Sequence, residues 1–257
     1  MNSHEIDFKI LGDDMQYVLI ALDPQETVIS EAGNFFMMDD GIKMETLFGD
    51  GSEHQKKGFG SKLLGAGKRL FTGESLFMTS YTNELDGKRI VAFSAPYPGK
   101  IIPVDLQEYG GKIICQKDAF LCAAKGVSLG LEFNKKIGAG FFGGEGFILQ
   151  KLEGDGMTFI HAGGSIVKRE LSPGERLIVD TGALVAMTKD ISYDIQRIKG
   201  VKSVLFSGNG LFNTVLSGPG TVWVQSLPFN KLVNTISNSV AESGNPIGGA
   251  IEGFLES

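Results

Sequence analysis

The sequence predicts an all-β fold of tandem repeats, each a short double-stranded β-helix or β-sandwich unit, followed by a short helical C-terminal tail. One observation behind this prediction is a seven-residue word that occurs three times, at residues 71–77 (FTGESLF), 142–148 (FGGEGFI) and 206–212 (FSGNGLF). A recurring word of this kind indicates a repeated architecture. Its third residue is glycine in every copy, which indicates a repeated tight turn, since glycine accepts positive φ without a steric penalty.

The segments around these words repeat as well. Residues 22–28 (LDPQETV) resemble 171–177 (LSPGERL), and residues 152–156 (LEGDG) resemble 216–220 (LSGPG). Between such turns the chain alternates β-branched or aromatic residues with polar ones, as in residues 157–161 and 221–227. This period of two is typical of half-buried strands, and turn signals about 8–12 residues apart are typical of sandwiches and barrels.

The repeats set the expected domain organisation. We predict a single compact β domain over residues 1–229, built of three repeats near 17–100, 101–165 and 166–229. Residues 230–257 form the predicted helical tail, because the apolar residues Leu232, Val233, Ile236 and Val240 share one helical face. Exposed edge strands in such repeats must be paired or blunted, and closure into a ring is one way to pair them.

Composition narrows the function classes. The chain has 257 residues, a net charge of −6 and 42% hydrophobic residues, and the acidic balance makes nucleic acid an unexpected partner. The first residues do not read as a signal peptide, and no apolar run of about 18 residues is present. We therefore expect a cytoplasmic protein, with membrane-peripheral binding as the alternative.

The residues with reactive side chains do not form a catalytic pattern. The three histidines, His4, His54 and His161, lack the spacing of a metal site, and Cys115 and Cys122 read as buried free thiols. The glycine pattern at residues 138–143 lacks the strand and helix that dinucleotide binding requires. We expect no enzyme activity, no cofactor and no metal.

Two groups of residues stand out for other reasons. The glycines and polar residues of the repeated word are interpreted as structural turn residues: Gly73, Glu74, Gly144, Glu145, Gly208 and Asn209. A basic segment with interspersed apolar residues is either a solvated loop or an interaction loop for an anionic membrane or an acidic protein, at about 1 kcal/mol per basic residue near an anionic bilayer. It comprises Lys56, Lys57, Phe59, Lys62, Lys68 and Arg69.

Five motifs in this order resemble one protein family. They are residues 98–103 (PGKIIP), 116–121 (QKDAFL), 142–147 (FGGEGF), 161–164 (HAGG) and 179–182 (VDTG). The family is the mitochondrial-biogenesis family named after altered inheritance of mitochondria, with its uncharacterised bacterial and archaeal members, and the resemblance covers about residues 5–229. It implies a fold similar to that of the tryptophan RNA-binding attenuation protein and assembly as a trimeric ring. It implies no catalytic residues.

These observations favour a non-enzymatic oligomeric scaffold or a membrane-peripheral interaction protein, with a homotrimer as the expected assembly. The alternative is a small-molecule-binding protein with its pocket in or between the β units. A third, weaker hypothesis is an unrecognised enzyme that uses Glu145, His161 or Asp180.

Overall fold

The computed structural model describes residues 3–31, 33–48, 77–132, 148–197 and 212–242. Within these ranges the chain forms strands in several antiparallel sheets, three short 3-10 segments and one α-helix. The strands are β1 (Asp7–Leu11), β2 (Tyr17–Leu22), β3 (Thr27–Glu31), β4 (Phe35–Met38), β5 (Ile42–Phe48), β6 (Phe77–Asn83), β7 (Arg89–Ser94), β8 (Gly99–Asp105), β9 (Lys112–Gln116), β10 (Phe120–Ala124), β11 (Ser128–Glu132), β12 (Leu149–Glu153), β13 (Met157–Gly163), β14 (Ile166–Leu171), β15 (Arg176–Asp180), β16 (Leu184–Thr188), β17 (Ser192–Arg197), β18 (Phe212–Ser217) and β19 (Gly220–Gln225). The helix is α1 (Phe229–Glu242), and the 3-10 segments are Leu106–Tyr109, Lys117–Ala119 and Thr181–Ala183.

One pairing pattern occurs three times among these strands. We call β2–β7 set 1, β8–β13 set 2 and β14–β19 set 3. In each set the sixth strand pairs with the first and the third, and the fifth strand pairs with the second and the fourth. The seven-residue word leads into the fifth strand in every set. Its last residue is the first residue of β6 (Phe77) and of β18 (Phe212), and in set 2 it immediately precedes β12 (Ile148).

Two further pairings join consecutive sets. The second strand of set 1, β3, pairs with the third strand of set 2, β10, and β9 pairs with β16 in the same way between sets 2 and 3. The result is a first sheet of order β1-β2-β7-β4, a second of order β5-β6-β3-β10-β13-β8, a third of order β11-β12-β9-β16-β19-β14 and a fourth of order β15-β18-β17. Each six-stranded sheet therefore combines half of one set with half of the next.

The third strand of each set carries a bulge at the same place. Its register against the sixth strand shifts between Phe35 and Met37 in β4, between Phe120 and Cys122 in β10, and between Leu184 and Ala186 in β16. A bulge adds one residue to a strand and re-aims its side chain. The bulge residues Phe36, Leu121 and Val185 are therefore equivalent positions.

The matched turns before β3 and β15 close with the same contacts. The Glu26 carboxylate accepts the backbone N–H of Asp23 at 2.7 Å, and the Glu175 carboxylate accepts that of Ser172 at 2.9 Å. The residue at the left-handed position is Gln25 in the first turn, with φ 69°, and Gly174 in the second, with φ 80°. These contacts explain the glutamate that both sequence segments share.

The apolar core lies in three layers between successive sheets. The first layer joins Val18, Ile20 and Phe93 of the first sheet to residues of the second sheet such as Tyr81 and Phe159. The other two layers join the second sheet to the third and the third sheet to the fourth in the same manner. The second and third sheets therefore bury both of their faces, which explains nearly continuous apolar strands such as β10 and β16.

Helix α1 follows β19 directly. The Pro228 carbonyl accepts the backbone N–H of Leu232, so the helix begins at Phe229. The Phe229 ring lies 5.2 Å from the Tyr97 ring, measured between centroids. Residues 243–257 of the predicted helical tail lie outside the described residues.

Gly163 is the point where the chain leaving β19 meets set 2. Its N–H donates to Gln225 Oε1 at 2.7 Å, and its carbonyl accepts the N–H of Leu227 at 3.1 Å. A Cβ on Gly163 would collide with the Leu227 carbonyl oxygen and would lie 2.9 Å from the Tyr97 ring. Close backbone approach therefore requires glycine here.

We expect Gly163→Ala to destabilise the protein by about 1–3 kcal/mol, because backbone on both sides must move to admit the methyl group. Thermal and urea unfolding measure the change. Gly130→Ala is the matched control, since a Cβ at that strand position meets only flexible atoms of Lys151. Equal stability of the two variants would contradict the packing role assigned to Gly163.

Candidate functional site at two open sheet edges

Two groups of residues singled out from the sequence lie outside the described residues. One is the basic interaction loop of Lys56, Lys57, Phe59, Lys62, Lys68 and Arg69. The other is the set of turn residues Gly73, Glu74, Gly144, Glu145, Gly208 and Asn209. The site described below is therefore built from other residues.

The remaining candidates for chemistry lie apart in structural roles. The Asp180 carboxylate accepts the N–H of Gly182 at 3.0 Å and so caps a 3-10 segment. Cys115 and Cys122 are buried free thiols, and burial raises the pKa of both. In the part of the chain that the structure describes, no three His, Cys, Asp or Glu side chains are grouped as metal ligands.

His161 is buried near the end of β13. Its ring lies edge-on to the Tyr97 ring at 4.5 Å between centroids, and neither ring nitrogen has a hydrogen-bond partner among the described residues. Burial lowers the pKa of His161 to about 4, and the nearby backbone of Tyr97 opposes this shift in part. Burial also raises the pKa of Tyr97 to about 12, with a smaller contribution from the charge of Asp118. Both side chains are neutral at pH 7.

The two most distinctive surfaces are the outer edges of β4 and β15. Within the described ranges, β4 pairs only with β7 and β15 pairs only with β18. Their equivalents in the other sets are paired on both sides: β10 and β16 for β4, and β3 and β9 for β15. Among the described strands, β4 and β15 therefore each lack a pairing that their equivalents in the other sets make.

The bulge side chain of β4 is far more exposed than its equivalents on the strands that are paired on both sides. Phe36 is 52% exposed, whereas the equivalent Leu121 and Val185 are 1% and 0% exposed. The Phe36 ring contacts only the edge of the Tyr17 ring, at 5.4 Å, among the ring contacts of the described residues. All four residues of β4 are exposed and apolar: Phe35, Phe36, Met37 and Met38.

The β15 edge is also apolar. Ile178 is 63% exposed, whereas the equivalent residues Ile29 and Ile114 are 0% and 5% exposed. An open, apolar strand edge is a template for pairing with another strand, and soluble proteins usually block it with charges, proline or a covering element. The inner neighbours of Ile178, Leu177 and Val179, pack against the third core layer and are only partly buried.

The other sheet edges differ from these two. The fourth strands β5, β11 and β17 are outermost in their sheets in all three sets, and so are the first strands β8 and β14, with β2 covered by β1. Strands in these positions therefore lie at or next to a sheet edge in every set. Of the strands that the structure describes, none of them pairs with a strand of another set. Among the described strands, the edges of β4 and β15 differ because no strand of another set pairs with them there.

Sequence reasoning missed this site, although a signal was present. Residues 35–38 (FFMM) form a short apolar run without alternation, which is typical of a strand buried on both faces. The sequence could not show that this strand lacks a neighbour, because strand order is set by pairing between distant segments.

Comparisons with known proteins place the chain in a family. A family model described as Mitochondrial biogenesis AIM24 matches residues 8–227, so the chain belongs to that family. An uncharacterised protein of Streptococcus pyogenes serotype M6 is 30% identical over 236 residues, which cover 90% of each chain. The crystal structure of protein SPYM3_0169 from Streptococcus pyogenes superposes with a TM-score of 0.70 at 24% identity, over 91% of this chain and 100% of that one, and shows that the fold is shared.

The family membership confirms the resemblance drawn from the five motifs, and the antiparallel sheets confirm the all-β prediction. The more detailed likeness to the tryptophan RNA-binding attenuation protein remains a prediction. The described residues contain no helix long and apolar enough to cross a bilayer, since α1 has 14 residues.

We expect His161 to make stability depend on pH. Its pKa is about 4 when folded and near 6.5 when unfolded, so the unfolded chain binds more protons between these values. Stability should therefore fall by up to about 3 kcal/mol as the pH drops from 6.5 to 4. Denaturant unfolding across this range measures the loss.

His161→Gln is the informative variant, because Gln225 occupies the equivalent position in β19. We expect the variant to remain folded at pH 7 and to lose less stability than the wild type on acidification. Identical pH dependence of the two proteins would refute the assignment of a buried, neutral His161.

Proposed function

We propose that this member of the AIM24 family is a non-enzymatic scaffold that assembles from several copies, with β4 of one copy pairing with β15 of the next. The observation that carries the proposal is the pair of open, apolar edges on strands whose equivalents are paired elsewhere in the chain. Each edge supplies the partner that the other lacks. The chain would then bury on assembly the surfaces that it exposes alone.

In this proposal the three strand sets are tandem repeats of one short double-stranded β-helix unit. The fourth sheet then continues into the first sheet of the next copy in the order β17-β18-β15-β4-β7-β2-β1. This order matches the second sheet, β5-β6-β3-β10-β13-β8, with β1 added at the end. Assembly would therefore join the fourth sheet of one copy to the first sheet of the next by the same strand pairing that joins consecutive sets within the chain.

Burial of apolar side chains would contribute to the stability of such a junction. Full burial of a side chain such as Phe, Ile or Met is worth about 1.5–3 kcal/mol relative to exposure. The exposed set comprises Phe35, Phe36, Met37, Met38 and Ile178. These side chains are 37–63% exposed, so burying the remaining surface of all five is worth about 4–7 kcal/mol. This offsets only the lower part of the cost of association, about 4–15 kcal/mol, before the backbone hydrogen bonds between the strands are counted.

The contact between copies joins two different surfaces. Because β4 and β15 are different surfaces, the contact runs head to tail, and repeated head-to-tail contacts close into rings or extend into filaments. The family resemblance implies three copies, so we propose a homotrimeric ring of nine repeats. Catalysis is not part of the proposal, which rests on strand pairing and on burial of apolar side chains.

A membrane-peripheral role is the second candidate. It is supported by the basic segment at residues 56–69, which lies between β5 and β6 in the sequence and carries five Lys or Arg residues. A ring would multiply the number of such segments in one particle, and multivalency strengthens weak contacts.

Ile178→Lys tests the assembly. A lysine at this position would place a charge in a dry, paired edge, so we expect the oligomer to dissociate with a dissociation constant raised about 100-fold. Native mass spectrometry and light scattering measure the mass of the wild type and the variant. Val167→Lys is the matched control, because Val167 is a similarly exposed residue on β14, an edge strand that the proposal leaves free.

A wild-type protein that stays monomeric at micromolar concentration would refute the scaffold. An extra mass at fixed stoichiometry on the wild-type protein would instead support the small-molecule-binding alternative. Loss of the oligomer in the Val167→Lys control as well would show that the effect of Ile178→Lys is not specific to the junction.

A further inference from the structure

We infer that the junction between copies has one register, in which Met38 lies opposite Ile178 and Met37 opposite Val179, and that Phe36 of one copy enters the third core layer of its neighbour. This inference rests on the proposed function and specifies the partner surface as a second copy of this chain. In this arrangement the first and third core layers of each chain include residues from a neighbouring copy.

The register follows from the two internal junctions. In the first, Cys122 pairs with Ser30 and Ala123 with Ile29. In the second, Ala186 pairs with Cys115 and Met187 with Ile114. In both junctions the residue just after the bulge faces the fourth residue of the partner strand.

The same positions can be identified on the open edges. The bulge places Met37 and Met38 at the positions of Cys122 and Ala123. The matched turns before β3 and β15 place Ile178 and Val179 at the third and fourth positions of the strand, where β3 has Ile29 and Ser30. Transferring the internal pairs therefore yields Met37 opposite Val179 and Met38 opposite Ile178.

In each internal junction the bulge residue packs in the core layer of the preceding set. Leu121 of set 2 packs in the first core layer, which belongs to set 1, and Val185 of set 3 packs in the second layer, which belongs to set 2. By the same step, Phe36 enters the third layer of the neighbouring copy. The partly buried Leu177, Val179 and Tyr193 lie along the side of that layer.

Ile178 makes the reciprocal contact. Its equivalents Ile29 and Ile114 lie on the second strands of sets 1 and 2, yet they pack in the core layers of sets 2 and 3. Ile178 accordingly covers the first core layer of the neighbour, next to Met38. Each copy thus closes a core layer of the other.

Charge also fits this register. The pairing that begins at Met37 and Val179 places Asp40 opposite Arg176, and both residues are exposed in the single chain. In the first internal junction the equivalent residues are Lys125 and Thr27, where the Lys125 N–H donates to the Thr27 carbonyl at 3.0 Å, and in the second they are Lys189 and Lys112. Opposite charges directly across two strands stabilise a pair of strands.

Cross-linking of variants with one introduced cysteine each tests the register. Met38→Cys and Ile178→Cys proteins are mixed, allowed to exchange subunits and oxidised mildly. We expect a disulfide between one chain of each kind, because directly opposed residues bring their Cβ atoms to about 4.5–5.5 Å. The native Cys115 and Cys122 are buried and serve as an internal check that only introduced thiols react.

Two controls sharpen the result. Each variant oxidised alone should give little cross-linked product, because a head-to-tail junction does not bring identical residues together. Met38→Cys mixed with Arg176→Cys, two positions out of register, should cross-link at least about tenfold less than the matched pair, because diagonal neighbours lie about 7–8 Å apart.

Cross-linking of Met38→Cys with itself would overturn the inference in favour of a two-fold contact. Equal yields from the matched and shifted pairs would overturn the register. An oligomer in native mass spectrometry with no cross-link from the matched pair would overturn this junction while leaving the scaffold in place. A monomer would overturn both.

Discussion

The structure depends on one interaction more than any other: antiparallel pairing of the second strand of each set with the third strand of the next. The pairings β3–β10 and β9–β16 turn three small strand sets into continuous sheets. They also make each six-stranded sheet serve two core layers, so that a residue such as Ile29 belongs to one set by chain order and to the core of the next set by packing. Because backbone groups buried in an apolar core must be hydrogen-bonded, a set that lost this pairing would expose both a strand edge and a core layer.

That constraint explains why β4 and β15 differ from the equivalent strands in the other sets. Internal strands such as β10 are apolar on both faces because both faces are covered, and β4 carries the same apolar character without the same cover. A terminal strand designed for solution would carry charges or proline at such positions. β4 and the exposed centre of β15 at Ile178 instead carry the apolar residues found at equivalent internal positions, and this supports the proposed partner.

Close backbone contacts anchor the last strand to the middle of the molecule. The backbone of Gly163 lies against Leu227, with Gln225 and Tyr97 as the side chains that fill the remaining space. His161 lies beside this contact as a buried neutral ring, while its equivalent Gln225 uses its amide to bond Gly163 and Gly182. Equivalent positions have therefore diverged chemically while retaining their place in the fold.

The sequence by itself determined the all-β class, the C-terminal helix, the matched turns and the family, because each depends on local pattern: alternation, glycine position, or short motifs in order. The turn glutamates Glu26 and Glu175 illustrate this, since their contacts lie within four residues of each other in the chain. The open edges could not be predicted in the same way. Phe36 and Leu121 occupy equivalent positions in similar apolar strands, and only the arrangement of distant strands makes one exposed and the other buried. Tertiary structure decided the candidate site because an edge is defined by the absence of a neighbouring strand, and neighbours in a sheet are set by long-range pairing and not by local sequence.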